Sequence, residues 1–271
     1  MTALAPLAPG VYAWLADQPG HGRANAGVVV DEDGITVVDA LAVASQWDPF
    51  ATAVEALGFP IRRVVLTSSN AEFSGGTSRF RLAAIYGRLQ ASAHLDQPAD
   101  PAVLRRLYPT VAEEIDDEYA TRSISHVIDA AVQLTPALVV HPMTGQQAEN
   151  LVVVVPGAQL VFAGAMAAFG VTPLAHQGDP GAWADALEAL LDLAPIIVPG
   201  HGPIGGEEEV RDLQGYLRAC VAADGDAAAI PPGPWDRWGG REHDAVNVER
   251  AAMLARGDDG IPPSLLRMLG L

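Results

Sequence analysis

The sequence has no lysine, a single cysteine and few basic residues. Its 16 basic residues, all arginine, are outnumbered by 33 aspartates and glutamates, which gives a formal net charge of -17 with histidine neutral. Proteins bind nucleic acid mainly through Lys and Arg that neutralise phosphates, and anionic membrane surfaces attract the same residues. The charge balance therefore argues against a nucleic-acid partner and against a membrane partner.

A single cysteine, Cys220, cannot form an internal disulfide, so nothing indicates an oxidising compartment. No uncharged apolar run reaches the ~18 residues that a bilayer-spanning helix needs, and the N-terminus lacks the basic head and apolar stretch of a signal peptide. We therefore expect a soluble, cytoplasmic protein. Hydrophobic residues make up 49% of the chain and charged residues 18%, which is enough apolar material for a buried core.

The first half of the chain predicts short strands, one helix and a further strand. The predicted strands are residues 10–16, 25–30, 35–39 and 62–67, and the predicted helix is residues 45–57. An acidic segment that ends in glycine, residues 31–34, separates two apolar runs and indicates a hairpin. From residue 25 the order of elements is β-β-α-β, followed by a loop.

The second half repeats this order. Residues 98–126 predict a mostly helical segment with a solvated acidic face. Four strands are predicted at residues 138–141, 151–155, 160–163 and 196–198, and a helix at residues 179–193. Asp179 followed by Pro180 is a favourable start for that helix. Two halves of this kind predict an α/β sandwich of two sheets covered by helices.

Three segments resemble the metallo-β-lactamase fold hydrolases. They are Thr67-Ser68-Ser69-Asn70-Ala71-Glu72-Phe73-Ser74-Gly75-Gly76, Phe162-Ala163-Gly164 and Pro199-Gly200-His201-Gly202-Pro203. The resemblance implies an αββα sandwich of the metallo-β-lactamase type, with residues 1–271 as one domain and a C-terminal tail extension from about residue 230. Members of the family usually bind one or two zinc ions, and a metal-bound hydroxide attacks an ester, amide or thioester.

The segment 67–76 fits the family's T-H-x-H-x-D-H-x-G-G loop without a gap, but its ligands differ. Ser68 and Asn70 stand where the family has histidines. Glu72 stands in place of an aspartate, and Phe73 in place of a third histidine.

The later ligand positions have also changed. The histidine of the family's G-H-T segment falls on Gln146, with His141 as the candidate if that placement slips by a few residues. The aspartate that bridges two metals falls on Ala165, so that His201 alone remains of the expected set. Zinc usually takes three protein ligands from His, Cys, Asp and Glu. We therefore predict no metal and no other cofactor.

The tail that follows residue 234 contains two tryptophans and a predicted helix at residues 241–256. His243 and Asn247 fall on one face of that helix, at i and i+4. The tail could close over the cleft or over a neighbouring subunit. The alternative is a helix packed through its apolar residues, with His243 exposed.

Three functions are compatible with these residues. The first is a metal-independent enzyme that acts on a small organic molecule by hydrolase-like or acid/base chemistry, with Glu72 and His201 as the catalytic pair. The second is a catalytically silent family member that binds a ligand or a protein, and the third is a zinc hydrolase with atypical ligands that include Glu72, His201 and His141. A homo-oligomer is compatible with each of them.

The predicted substrate-binding residues are Ser68, Asn70, Phe73, Gln146, Ala165, His243 and Asn247.

Phe73 and Ala165 replace charge by apolar surface at the centre of the cleft. The phenyl ring either fills the volume of the former metal site or forms one wall of a drier pocket whose few polar points include Glu72, Gln146 and His201. We expect the second arrangement.

Overall fold

Runs of β-branched and other apolar residues form two mixed sheets in the computed structural model, which describes residues 3–271. Within that range the first sheet has seven strands in chain order: β1 (Leu4–Ala8), β2 (Val11–Trp14), β3 (Ala26–Asp31), β4 (Gly34–Val38), β5 (Ile61–Val65), β6 (Ala84–Gly87) and β7 (His126–Val127). Strands β1 to β4 are antiparallel, and β4 to β7 are parallel. The hairpin expected at residues 31–34 joins β3 to β4.

The second sheet is built from the later strands. Its order is β12-β11-β10-β9-β8, from β8 (Val132–Thr135), β9 (Leu138–Pro142), β10 (Leu151–Val155), β11 (Leu160–Ala168) and β12 (Ile196–His201). Only the β11–β12 pair in this sheet is parallel among the described strands. The parallel pairing brings the end of β12 beside the end of β11 and so fixes the position of His201.

The two sheets pack face to face through apolar side chains. Val29 and Val65 of the first sheet lie in one buried cluster with Val153 and Phe162 of the second. Phe162 reaches so far across that a Cβ on Gly27 would lie 2.6 Å from its ring. The glycine in β3 therefore permits the close approach of the sheets at this point.

Helices cover the outer faces of both sheets. Helix α1 (Ala44–Glu55) packs on the first sheet, and two later helices, α5 (Pro180–Leu191) and α6 (Glu207–Ala222), pack on the second. Asp179 caps α5 by accepting hydrogen bonds from the backbone N–H groups of the first turn, as predicted. The architecture is the expected αββα sandwich.

The prediction of a mostly helical segment at 98–126 is wrong. Between α2 (Ala71–Ser74) and β7 the chain has two short helices, α3 (Ser92–Asp96) and α4 (Pro101–Leu107), and a 3₁₀ turn at Pro109–Glu114. Proline disfavours the helical conformation in the residue before it, so Pro109 ends α4. The acidic residues that follow are exposed, while Val111 and Ile115 are buried beside Leu104 without a continuous helix.

The tail forms α7 (Asp244–Ala255) and α8 (Pro263–Leu269), preceded by a 3₁₀ turn at Arg241–His243. Helix α7 confirms most of the predicted helix. Gly239 pairs in parallel with Val171, so the tail docks on the segment that follows β11. Over residues 3–271, no helix combines the length and apolarity needed to cross a bilayer.

Candidate functional site

The candidate site lies where β5, β11 and β12 end, because the carboxyl ends of neighbouring strands in an α/β sheet place their loops together. The loop after β5 begins at Thr67, whose backbone N–H and hydroxyl both donate to the carboxyl group of Asp39, each at 2.8 Å. Burial raises the pKa of Asp39 to about 8, against which the two hydrogen bonds from Thr67 act. This buried contact fixes the start of the loop that carries Glu72.

Glu72 and His201 are in direct contact. Oε2 of Glu72 lies 3.0 Å from Nε2 of His201, and the two side chains are 3% and 11% exposed. The same Oε2 accepts a hydrogen bond from the backbone N–H of Gly22 at 2.6 Å. The structure therefore brings together the two residues that the sequence predicted as a catalytic pair.

Glu72 is ionised in this environment. Burial acts to raise its pKa, but attraction by His201, together with hydrogen bonds from His201 and Gly22, holds the pKa of Glu72 below its usual range. An ionised carboxylate can only accept hydrogen bonds. The nitrogen of His201 that faces it therefore carries the hydrogen.

His21 is a third member of this group, and the sequence did not reveal it. Its Nδ1 lies 3.7 Å from Oε1 of Glu72, and its ring stacks on Tyr108 with centroids 4.7 Å apart. Burial lowers the pKa of His21 to about 3 despite the opposing attraction of Glu72, so the ring is neutral. No motif surrounds this histidine, and only the folded chain places it beside Glu72.

Two further histidines lie close to this group. His243 contacts the carbonyl oxygen of Thr172 through Nδ1 at 3.1 Å, and its ring centroid is 5.2 Å from that of His21. Burial, and to a smaller extent repulsion by His243, lowers the pKa of His176 to about 4. The surroundings of Glu72 are thus rich in imidazole nitrogens held away from water.

Phe73 lies beside the pair and is 1% exposed. Its ring meets that of His201 edge to face, with centroids 5.6 Å apart, and a Cβ on Gly200 would lie 2.8 Å from the phenyl edge. The remaining space, an inner cavity lined by Glu72, Phe73 and His201 among others, has a volume of about 30 Å³. That is room for one or two water molecules, so the expected small-molecule pocket does not have the necessary size at this place.

The other predicted residues of the loops take mixed positions. Asn70, Gln146 and Ala165 line the inner cavity, together with apolar side chains. Ser68 is buried and donates its hydroxyl hydrogen to Oε1 of Gln147 at 2.7 Å.

His141, the alternative to Gln146, lies in β9 opposite Val152 and is half-buried. Burial lowers its pKa. Of the two, Gln146 faces the inner cavity.

The two predicted tail residues are both buried. The alternative in which His243 is exposed is wrong, since the side chain is 5% exposed. Asn247 accepts a hydrogen bond from Ala175 N–H at 2.8 Å and donates to the carbonyl oxygen of Pro173 and to the hydroxyl of Tyr216. These contacts hold the segment after β11 against α7.

No protein-family model matches the sequence, but solved structures do match the fold. The metallo-β-lactamase FIM-1 from Pseudomonas aeruginosa, in its mono-zinc form, has a TM-score of 0.62 at 19% identity, over 85% of this chain and 97% of that one. A metallo-β-lactamase from Hirschia baltica has a TM-score of 0.61 at 18% identity, over 80% and 97%. One from Pontibacter korlensis has 0.62 at 15% identity, over 80% and 99%. This chain has the metallo-β-lactamase fold.

The metallo-β-lactamase fold implies zinc at this cleft, and three side chains that lie there, Ser68, Phe73 and Gln146, do not suit zinc. Phe73 offers no lone pair, the hydroxyl of Ser68 is bonded to an amide, and Oε1 of Gln146 accepts a hydrogen bond from Asn150 at 3.1 Å. Zinc prefers imidazole, thiolate and carboxylate ligands. Within residues 3–271, no group of three or more His, Cys, Asp or Glu side chains is arranged to hold a metal ion.

Proposed function

We propose that this metallo-β-lactamase-like protein is a metal-independent enzyme that acts on a small organic substrate by hydrolase-like or acid/base chemistry. Glu72 and His201 are its catalytic pair. The observation that carries the proposal is their buried contact of 3.0 Å at the carboxyl ends of the strands. A buried, ionised carboxylate that holds an imidazole by a hydrogen bond orients that imidazole for acid/base catalysis.

The residues have separate tasks in this proposal. Glu72 holds the hydrogen on Nε2 of His201 and so fixes the ring and its tautomer. Nδ1 of His201 is then the atom that exchanges a proton with the substrate or with a water molecule in the inner cavity. Phe73 and the other apolar walls keep bulk water away, which strengthens the interaction between carboxylate and imidazole.

A catalytically silent, ligand- or protein-binding chain is the second candidate. The observation that favours it is the inner cavity volume of about 30 Å³, far below the roughly 300 Å³ from which small-molecule pockets start. The two candidates differ in one measurable property, because a silent chain has no turnover that depends on Glu72 or His201.

The experiment is a screen of 4-nitrophenyl esters and thioesters with the full chain in the presence of a strong chelator. We expect turnover that the chelator leaves unchanged and that falls by ~100-fold or more in Glu72→Gln and in His201→Ala. The matched controls are Glu208→Gln and His126→Ala, which alter an exposed carboxylate and an exposed imidazole. Turnover that survives both site variants, or that the chelator abolishes, contradicts the proposal.

A further inference from the structure

A second, larger pocket lies outside the inner cavity. It has a volume of about 370 Å³ and lies between the N-terminal loop at Pro19–His21, the stretch 106–110 and the start of the tail at residues 239–243. This outer pocket is within the ~300–1,000 Å³ range of small-molecule sites, whereas the inner cavity is not.

His21 and Val171 belong to the walls of both spaces. Nδ1 of His21 faces the ionised carboxylate of Glu72, which favours the hydrogen on that nitrogen and leaves a lone pair on Nε2. Nε2 is buried and has no hydrogen-bond partner among the described residues. A buried polar atom without a partner is costly, and Nε2 of His21 is closed off from the space of the outer pocket.

The outer pocket contains one cationic side chain, Arg106, among its described lining residues. Its guanidinium is held in place because one nitrogen donates to the carbonyl oxygens of Leu269 at 2.8 Å and of Gly270 at 3.4 Å. A guanidinium fixed in this way binds a carboxylate with little loss of side-chain entropy. Glu242, the anionic residue of the same pocket, is exposed.

We infer that the outer pocket binds a small, mainly apolar molecule that bears a carboxylate, with the carboxylate on Arg106. The inference deepens the proposed function, on which it rests, because His21 lies in contact range of both the outer pocket and Glu72. The substrate class would then be a small organic acid. Leu107, Pro109 and Met268 supply the apolar contact surface.

The chain offers a way to block the outer pocket without disturbing its neighbours. Gly20 and Gly239 both line the pocket, and a Cβ on either would meet no atom within 4 Å. Gly20→Leu and Gly239→Leu should therefore fold normally and narrow the pocket by an isobutyl group each. Gly157→Leu is the matched control, since Gly157 is equally unobstructed and lies in an exposed turn remote from the pocket.

The test uses benzoate as the probe, with neutral benzamide and cationic benzamidine for comparison, in NMR titrations of the full chain. We expect saturable benzoate binding that shifts the His21 imidazole signals and is lost in Gly20→Leu and Gly239→Leu but kept in Gly157→Leu. Arg106→Gln should weaken benzoate at least about tenfold. Arg105→Gln should leave benzoate binding unchanged, because the Arg105 guanidinium donates its hydrogen bonds to the carbonyl oxygen of Ile115 and the carboxylate of Asp117.

Two binding results overturn the inference: benzoate binding that persists in both blocked variants, and binding of benzamidine in preference to benzoate. Glu72→Gln separates this inference from the proposed function. Benzoate that binds to Glu72→Gln as it does to the unaltered chain supports the outer pocket, whether or not the ester screen finds turnover. Turnover that depends on Glu72 but is unaffected by Gly239→Leu leaves the proposed function intact and refutes the outer pocket.

Discussion

The backbone N–H of Gly22 donates a hydrogen bond to Oε2 of Glu72 at 2.6 Å, across 50 residues of sequence. The loop that contains Gly22 is held from two more sides, because Gln46 donates to the carbonyl oxygen of Gly22 and Thr110 donates to that of His21. These contacts place a neutral imidazole against a buried carboxylate. The ionised state of Glu72 therefore depends on the N-terminal loop as well as on His201, which lowers the pKa of Glu72 more than the loop does.

Acid should destabilise the protein partly through His21. Its pKa is about 3 in the folded chain and 6.5 by reference, so below pH 6.5 the unfolded chain binds a proton that the folded chain does not. The free energy of unfolding then falls as the pH drops from about 6.5 towards 3, by up to about 1.4 kcal/mol per pH unit from this group. Urea denaturation between pH 7.5 and 4.5 should show a shallower pH dependence in His21→Asn than in the unaltered chain. His126→Asn, which alters an exposed histidine, should leave the slope unchanged; equal slopes in all three proteins would show that His21 is not held neutral.

Asp39 should destabilise the protein as the pH rises, whereas His21 destabilises it as the pH falls. Burial raises its pKa to about 8 from 3.8, so between these values the folded chain holds a proton that the unfolded chain has lost, and stability falls as the pH rises. Asn at this position cannot ionise, and it tolerates the left-handed backbone of Asp39, whose φ is 65°. Asp39→Asn should gain stability over the unaltered chain as the pH is raised from 5 to 8, measured by thermal unfolding. Asp185→Asn, at an 81% exposed carboxylate, is the control, and a difference that does not change with pH contradicts the prediction.

Phe73 should contribute to stability through its buried ring. Truncation of a fully buried phenylalanine costs about 3–5 kcal/mol, and Phe73 is 1% exposed against His201 and Gly200. Phe73→Ala should therefore lower the free energy of unfolding by that amount in urea denaturation, whereas Phe59→Ala, at a 50% exposed ring, should cost far less. Benzene should raise the melting temperature of Phe73→Ala alone, because an apolar cavity accepts an apolar ligand. Absence of that rescue would indicate that the loop collapses into the vacated space.

The fourth prediction concerns the amount of zinc that the purified chain holds. We expect the purified chain, after dialysis against zinc and then against buffer, to hold well under one tightly bound zinc ion, because the amide, hydroxyl and phenyl groups at the ligand positions bind zinc poorly. Elemental analysis measures the ratio of metal to chain. A stoichiometric zinc signal that survives dialysis and disappears in Glu72→Ala or His201→Ala would support the zinc hydrolase instead.

The contrast between two helical predictions shows what local pattern can and cannot establish. Residues 179–193 have an N-cap, a proline in the first turn and apolar residues at helical spacing, and the structure has α5 at Pro180–Leu191. Residues 98–126 also have apolar residues at helical spacing, Leu104, Tyr108, Val111 and Ile115, but Pro109 interrupts the helix between them. Proline disfavours the helical conformation in the residue before it, so the second prediction was wrong.

The sequence by itself determined the fold and the chemistry available at the cleft. Alternating and continuous apolar runs specify strands over a few residues, and the motifs at 67–76 and 199–203 place Glu72, Phe73 and His201 at the ends of strands. Only the tertiary structure decided that Glu72 touches His201, that His21 approaches from the N-terminal loop, and that the phenyl ring leaves about 30 Å³. The physical reason is separation along the chain. Secondary structure follows from neighbours in sequence, whereas these contacts join residues 50 to 129 positions apart. Their distances, and the pKa values that result, are set by how the whole chain packs.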